Sequence, residues 1–549
     1  MLQIISGKFF SDGEIHHNDC CGVLYSNLNF VARKPKQIDN LKITSVDWQV
    51  GLPTYVVNYD NQIEDTPQTH ILYKVGDEAI LRQLKYIMTF SFDAFFDENE
   101  YVVEELCKVD NKHKDNIVSN FIPKTFDKER YIEETDWDKF EKFYNKVIGL
   151  KREEYNTIIK CLGAYSAALK IYEDDSTLSY CMFVYILETL SANFGGFTNT
   201  WEDYKEEKRI KLEKCFEKID SEVADEIKKI LITEEHLKLA KRFSEFVLRY
   251  VDDGYYQYIE KKQLTEDELK TAIGNAYVTR SKYAHELRPI NKHLLDGAMS
   301  LKSDVFEWEH ELYFTYSGLI RLVRTVICNF VMEREYLQKE DYKWYDELPG
   351  MIDIKMHPKY WLPQNIRKDN KSIVGNFEAL IECIEYDHEV PSLEELVRFY
   401  VTNMNNISND YRSYAYVFSW IYLNIVKGVE QTFKDEMQEK MNKYEKYMNS
   451  CNISVLVGGN YGLPHPNFDL EEVEAKITEY NNKKYKKNTL RLPHNVENKL
   501  YVRIAEIYEK EKEINRSLEW CRKAFRNSVN NKKLQEEIEE KIEKLSKLA

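Results

Sequence analysis

No proline occurs between Pro123 and Pro289. Proline lacks an amide hydrogen and clashes with the carbonyl four residues behind it, so helices avoid it. A proline-free interval of this length, filled with apolar residues at 3.6-residue spacing, constrains that part of the chain to a helical domain. The periodicity predicts helices over about 136–148, 151–173, 176–194, 203–231, 233–252, 265–288 and 305–336. Gly195-Gly196 marks a stop after the third.

The flanking regions are punctuated differently. Residues 1–125 read as mostly β. Ile4-Ile5 and Phe9-Phe10 precede a Ser11-Asp12-Gly13 turn, Tyr86, Met88, Phe90 and Phe92 alternate with their neighbours, and Gly76-Asp77 and Asp97-Glu98-Asn99-Glu100 suit hairpin turns. Residues 337–372, with Trp344, Pro349-Gly350, Pro358, Trp361 and Pro363, read as an irregular connector. Helical periodicity resumes from about 373 and runs through Met448. The expected fold class is therefore α+β, mainly α, with a β-rich domain over 1–125, a helical bundle over 126–336, the connector, and a C-terminal helical domain over 373–549. With 549 residues and 43% hydrophobic content, including 39 Tyr and 26 Phe, several cores can be filled.

In the C-terminal region Tyr501, Ile504, Ala505, Tyr508, Ser517, Cys521 and Ala524 fall at the spacing of a tetratricopeptide helix pair, although Ser517 and Cys521 depart from its usual small and aromatic residues. A generic helical hairpin within 498–549 fits equally well. Val457-Gly458-Gly459-Asn460-Tyr461-Gly462 lacks the Lys-Ser/Thr of a phosphate-binding loop and reads as a turn.

Several classes are excluded or left without support. The longest apolar run, Tyr414 to Val426, contains Asn424 and is too short for a bilayer. The first residues lack a basic, cleavable leader, so a soluble, cytoplasmic protein is expected, with its ten cysteines reduced. His16-His17-Asn18-Asp19-Cys20-Cys21 is the one metal-like cluster, but neighbours on a strand point to opposite faces and no second ligand pair follows. No metal or cofactor is expected. A net charge of −16 argues against a broad nucleic-acid-coating surface. The tail is different: 480–549 holds 18 Lys and Arg against 11 Asp and Glu. Within it Lys483, Lys484, Tyr485, Lys486, Lys487 and Arg491 combine phosphate-binding cations with an aromatic ring, which suits single-stranded RNA or else a solvated loop.

The helix opening at Thr265, with Glu268 completing a capping box, holds the residues of most chemical interest. Leu269, Ile273, Ala276 and Tyr277 form one apolar stripe, and Arg280 continues it. A core-facing cation costs several kcal/mol unless it is paired. His285 follows five residues later, roughly 140° around an ideal helix, so one copy of the helix does not aim both groups at one point. Two copies in a symmetric dimer would.

Arg280 and His285, with Ser281 and Tyr283 between them, resemble the signature of HEPN-domain ribonucleases. The run from Ala276 to His285 is most similar to the Apea-like branch, although Glu286 stands where that branch often has Gly. The apolar helix around Ser179–Leu190, interrupted by Glu188, resembles the helix preceding that signature, and Tyr313 to Tyr336 supplies a closing helix. The resemblance implies a metal-independent endoribonuclease acting on tRNA or mRNA as a homodimer, as a toxin or anti-phage defence effector. It implies Arg280 and His285 as catalytic groups, Glu188 as the partner holding Arg280, and Ser281 and Tyr283 as orienting groups. RNA brings its own 2′-hydroxyl nucleophile, imidazole titrates near ~6.5, and guanidinium matches phosphoryl charge. The alternative is a catalytically inactive helical module of the same type, binding nucleotide, RNA or protein as a scaffold.

Overall fold

A computed structural model describes residues 1–11, 13–30, 35–46, 52–65, 74–107, 121–122, 124–196, 200–201, 206–234, 239–257, 264–295, 303–348, 357–386, 389–486 and 489–548. Asp12 of the expected first turn, Pro349-Gly350 and Lys487 lie outside these residues. The fold is α+β and mainly α. The chain divides into two compact units, Met1–Met351 and Ile352–Ala549.

The first unit carries a five-stranded antiparallel sheet. Its strands are β1 (Asp19–Ser26), β2 (Lys36–Ile38), β3 (Leu41–Val46), β4 (Thr54–Asp60) and β5 (Phe96–Asp97), in the order β2-β3-β4-β1-β5. Along β3 the burial alternates, with Leu41, Ile43 and Ser45 inside. Helices α1 (Asp77–Phe92) and α2 (Glu100–Leu106) occupy segments expected to be strand and turn. The alternation at Tyr86–Phe92 is the end of a helix. Ile80, Leu84, Ile87 and Met88 set a helical stripe, Asp77 and Glu78 favour its N-terminus, and its last turn is buried on several sides. Gly76 and Asn99 precede helices and do not close hairpins. Ile4 and Ile5 sit in a one-turn helix.

The helices that follow are α3 (Glu134–Ile148), α4 (Arg152–Ile171), α5 (Ser176–Phe194), α6 (Glu206–Phe216), α7 (Ser221–Glu234), α8 (Leu239–Arg249), α9 (Glu266–Glu286) and α10 (Tyr316–Glu333). One continuous helix over 203–231 is expected, but it is broken at Asp220, whose carboxylate accepts the Glu222 amide at 2.9 Å and starts α7. The expected helix over 305–336 begins instead as a hairpin, β6 (Val305–Trp308) and β7 (Glu311–Phe314). Its two turn residues, Glu309 and His310, have φ of 51° and 64°, the left-handed pair that a two-residue hairpin requires.

Sheet and bundle share one core. Helix α1 packs on β1 on one side and on α3 and α4 on the other. Residues 337–348 also belong here, because Lys339 Nζ donates to the Gly7 carbonyl at 2.8 Å and Glu347 pairs with the buried Arg152 at 2.7 Å. The strand-rich segment and the bundle are therefore one unit, and the connector is irregular but partly packed.

The second unit is helical: α11 (Asn370–Glu385), α12 (Glu394–Asn403), α13 (Asn409–Ile425), α14 (Gln431–Asn442), α15 (Ile453–Asn460), α16 (Leu470–Lys483), α17 (His494–Lys510), α18 (Ile514–Asn527) and α19 (Lys532–Ser546). All seven residues of the repeat-like pattern are buried where α17 and α18 pack as a hairpin. The glycines at 458 and 459 lie inside α15 and not in a turn. A Cβ on Gly458 would sit 2.6 Å from Leu463, and one on Gly459 would sit 2.6 Å from His465, so close packing accounts for both.

Candidate active site

Helix α9 starts as its sequence dictates. Thr265 accepts the Glu268 amide, and the Glu268 carboxylate returns to Thr265. Leu269, Ala272, Ile273 and Ala276 are buried along its core face, and Arg280 is the fifth buried residue in that series. The face packs against α5, α8 and the β6–β7 hairpin, where Asn275 donates to the Leu312 carbonyl at 2.8 Å.

Arg280 forms an ion pair with Glu188 of α5. Its guanidinium carbon lies 4.9 Å from the Tyr185 ring centre and 5.0 Å from that of Tyr277. Each ring stands three residues before the charge it supports, Tyr185 before Glu188 and Tyr277 before Arg280, so each helix presents an aromatic and a charge on one face. Tyr277 is read in the sequence only as part of the apolar stripe and Tyr185 is not singled out; the i, i+3 spacing of each ring to its charge is the signal for this contact. Burial lowers the Arg280 pKa, against which Tyr185 and Cys181 act to raise it. Guanidinium remains charged at neutral pH regardless. Burial also pushes the Cys181 thiol up to about 12, with Arg280 pulling the other way, so this cysteine is a packing group. The Arg280 side chain keeps 11% of its surface, and its Nε is buried with no hydrogen-bond partner among the described residues.

Tyr283 is committed elsewhere. Its hydroxyl donates to Asp175 Oδ2 at 3.1 Å, while Asp175 Oδ1 caps α5 by accepting the Leu178 amide at 2.8 Å. Burial and this bond raise the Tyr283 pKa. Tyr283 thus ties the end of α9 to the start of α5 and does not orient His285. Ser281 is half-buried beside it. His285 lies in the last turn, exposed, and makes no hydrogen bond or ion pair among the described residues. The structure brings Arg280 and Glu188 together as expected. It leaves His285 apart from them within one chain.

The basic segment of the second unit separates into different roles. Lys484, expected to meet RNA, donates to Glu497 Oε1 at 2.7 Å, and Glu497 is only 1% exposed. The same carboxylate accepts Tyr480 at 2.7 Å, Asn527 at 3.0 Å and pairs with His494 at 3.2 Å. Lys483 pairs with Glu479 one turn back, at 2.7 Å. Tyr485 is 70% exposed, with Lys484 and Arg491 within 5.4 and 5.3 Å of its ring centre. Lys486 and Arg491 are exposed, and the Arg491 amide donates to Glu378.

At the N-terminus, His17 pairs with Asp60 at 2.6 Å, and no group of three or more His, Cys, Asp or Glu suited to a metal occurs among the described residues. No described helix is long and apolar enough to cross a membrane. No family model, curated protein or solved structure matches the chain.

Proposed function

We propose that the protein is a metal-independent endoribonuclease of HEPN type, acting on tRNA or mRNA in the cytoplasm as a homodimer, in the manner of a toxin or anti-phage defence effector. The observation that carries the reading is the Arg280–Glu188 pair. A cation stands on the core stripe of α9, is held by the acid on α5, and keeps one donor, its Nε, without a partner among the described residues. In this reading Arg280 stabilises charge on the phosphoryl oxygens, and His285 transfers the proton of the 2′-hydroxyl or of the leaving 5′-oxygen. The two imidazoles and two guanidiniums meet across a dimer in which the exposed ends of two α9 helices face each other.

A second reading has one observation in its favour: Arg280 is buried and His285 exposed, so the pair also serves as a lock between α5 and α9 in a non-catalytic scaffold. Incubating purified protein with total RNA in EDTA, alongside His285→Ala, separates the two. Cleavage that persists in EDTA and falls by about 10²-fold or more in the variant supports the nuclease. Cleavage that needs a metal and survives the substitution contradicts it.

A further inference from the structure

The second unit contains a cleft of about 480 Å³ between the starts of α11, α13 and α15 and the C-terminal half of α16. Four lysines line it, Lys371, Lys476, Lys483 and Lys484, against two carboxylates, Asp410 and Glu479. Glu479 is already shared by Lys476 at 3.1 Å and Lys483 at 2.7 Å. Lys484 is taken up by Glu497 at 2.7 Å, which leaves three lysines against the two carboxylates and a lining still positive on balance, within a chain of net charge −16. Asn370, Asp410 and Ile453 place the first turns of three helices at the same cleft; Asp369 and Asn452 cap the first and third, while the start of α13 has no side-chain cap and its positive dipole end adds to the lysines.

One wall is aromatic. Tyr411 and Tyr414 are half-buried, with ring centres 6.2 Å apart and planes inclined by 30°. Val374, Ile453 and Leu490 supply apolar surface beside them. A small inorganic anion would use the cations and leave this surface wet. A ligand carrying both a flat ring and a phosphate would use both.

We propose that this cleft binds a nucleoside phosphate, with the base against Tyr411 and Tyr414 and the phosphate at Lys371, Lys476 and the start of α13. The nucleotide is either free or part of a single RNA strand; the recognition chemistry is the same. The cleft shares no residue with the Arg280–His285 assignment, and binding is read without cleavage, so failure of one assignment leaves the other standing.

The test is titration calorimetry on the full chain with AMP, ATP, inorganic phosphate and a 2′-O-methyl hexaribonucleotide that resists cleavage. Lys371→Gln/Lys476→Gln should weaken nucleotide binding about 10-fold or more, the scale of losing charge-assisted contacts. Tyr411→Ala should weaken nucleotides and leave phosphate unaffected. Melting curves check folding, and Lys371→Gln alone, at an exposed position, stands in if the double variant is unstable. Binding of AMP or ATP identifies a free nucleotide; binding of the hexanucleotide alone identifies a strand. Phosphate binding as tightly as AMP, affinities unchanged by the variants, or no binding at millimolar concentration would overturn the proposal.

Discussion

Arg280 and Lys484 are both cations paired to an acid, one in each unit, and the two pairs are finished to different degrees. Glu497, the partner of Lys484, receives four groups on its two oxygens and is almost wholly buried. Nothing there remains for a ligand. Arg280 has five N–H donors, pairs with Glu188, and keeps a buried Nε without a hydrogen-bond partner among the described residues. Completed buried networks specify packing, whereas an incomplete one holds capacity for a further acceptor. The contrast teaches that charge in a sequence is not by itself a binding surface.

The largest expected effect is at the finished network. Glu497→Ala leaves Lys484 buried and unpaired and should destabilise the second unit by about 3–5 kcal/mol in urea unfolding. Burial acts to raise the Glu497 pKa, but the bonds from Lys484 and Tyr480 and the charge of Lys484 outweigh it, and the net shift is downward. A depressed carboxylate stabilises the fold above its unfolded value, near ~4.3, and loses that contribution as pH falls through the lower folded value. Stability measured from pH 7 to pH 3 should therefore drop at the acid end, and Glu497→Gln should drop less. A parallel course for both proteins would break the comparison.

Next is the unfinished pair. Glu188→Ala should cost about 3 kcal/mol, while Glu188→Leu/Arg280→Leu should recover most of that, since removing both charges avoids an orphaned ion. RNA cleavage should stay lost in the double variant. Restored stability with restored cleavage would make the pair a lock only. The smallest effect belongs to Lys483→Gln/Lys486→Gln, at exposed positions. If these lysines meet RNA, the log-log salt slope of binding should fall by up to ~0.7 per phosphate contact removed. An unchanged slope assigns the run to solvated surface.

Much of this was legible in the sequence. The capping box at Thr265 and the stripe leading to Arg280 follow from helical spacing, as do the bounds of α3, α4 and α5, whereas Glu188 as the partner of Arg280 comes from the resemblance to HEPN domains and not from spacing. A helical segment buried on several sides is hard to recognise in sequence, because burial removes the polar face that gives a helix its period. That is why the end of α1 mimics a strand; the 305–315 hairpin, exposed over 307–311, instead runs straight into α10 and extends its apolar pattern toward the N-terminus. The fate of Lys484 depended on Glu497, thirteen residues on and on another helix. Tyr283 likewise found Asp175 across 108 residues. Local pattern carries no information on such partners.

The most direct measurement mixes two inactive chains. Arg280→Ala and His285→Ala proteins, each confirmed folded, are combined, partially unfolded to exchange subunits, refolded and assayed on RNA in EDTA. A site that takes its Arg280 from one chain and its His285 from the other should regain up to about half of the wild-type activity in mixed dimers, since each retains one intact pair. Mixed dimers as inactive as either parent, or a wild-type protein that cleaves RNA as a strict monomer, would contradict the shared cleft.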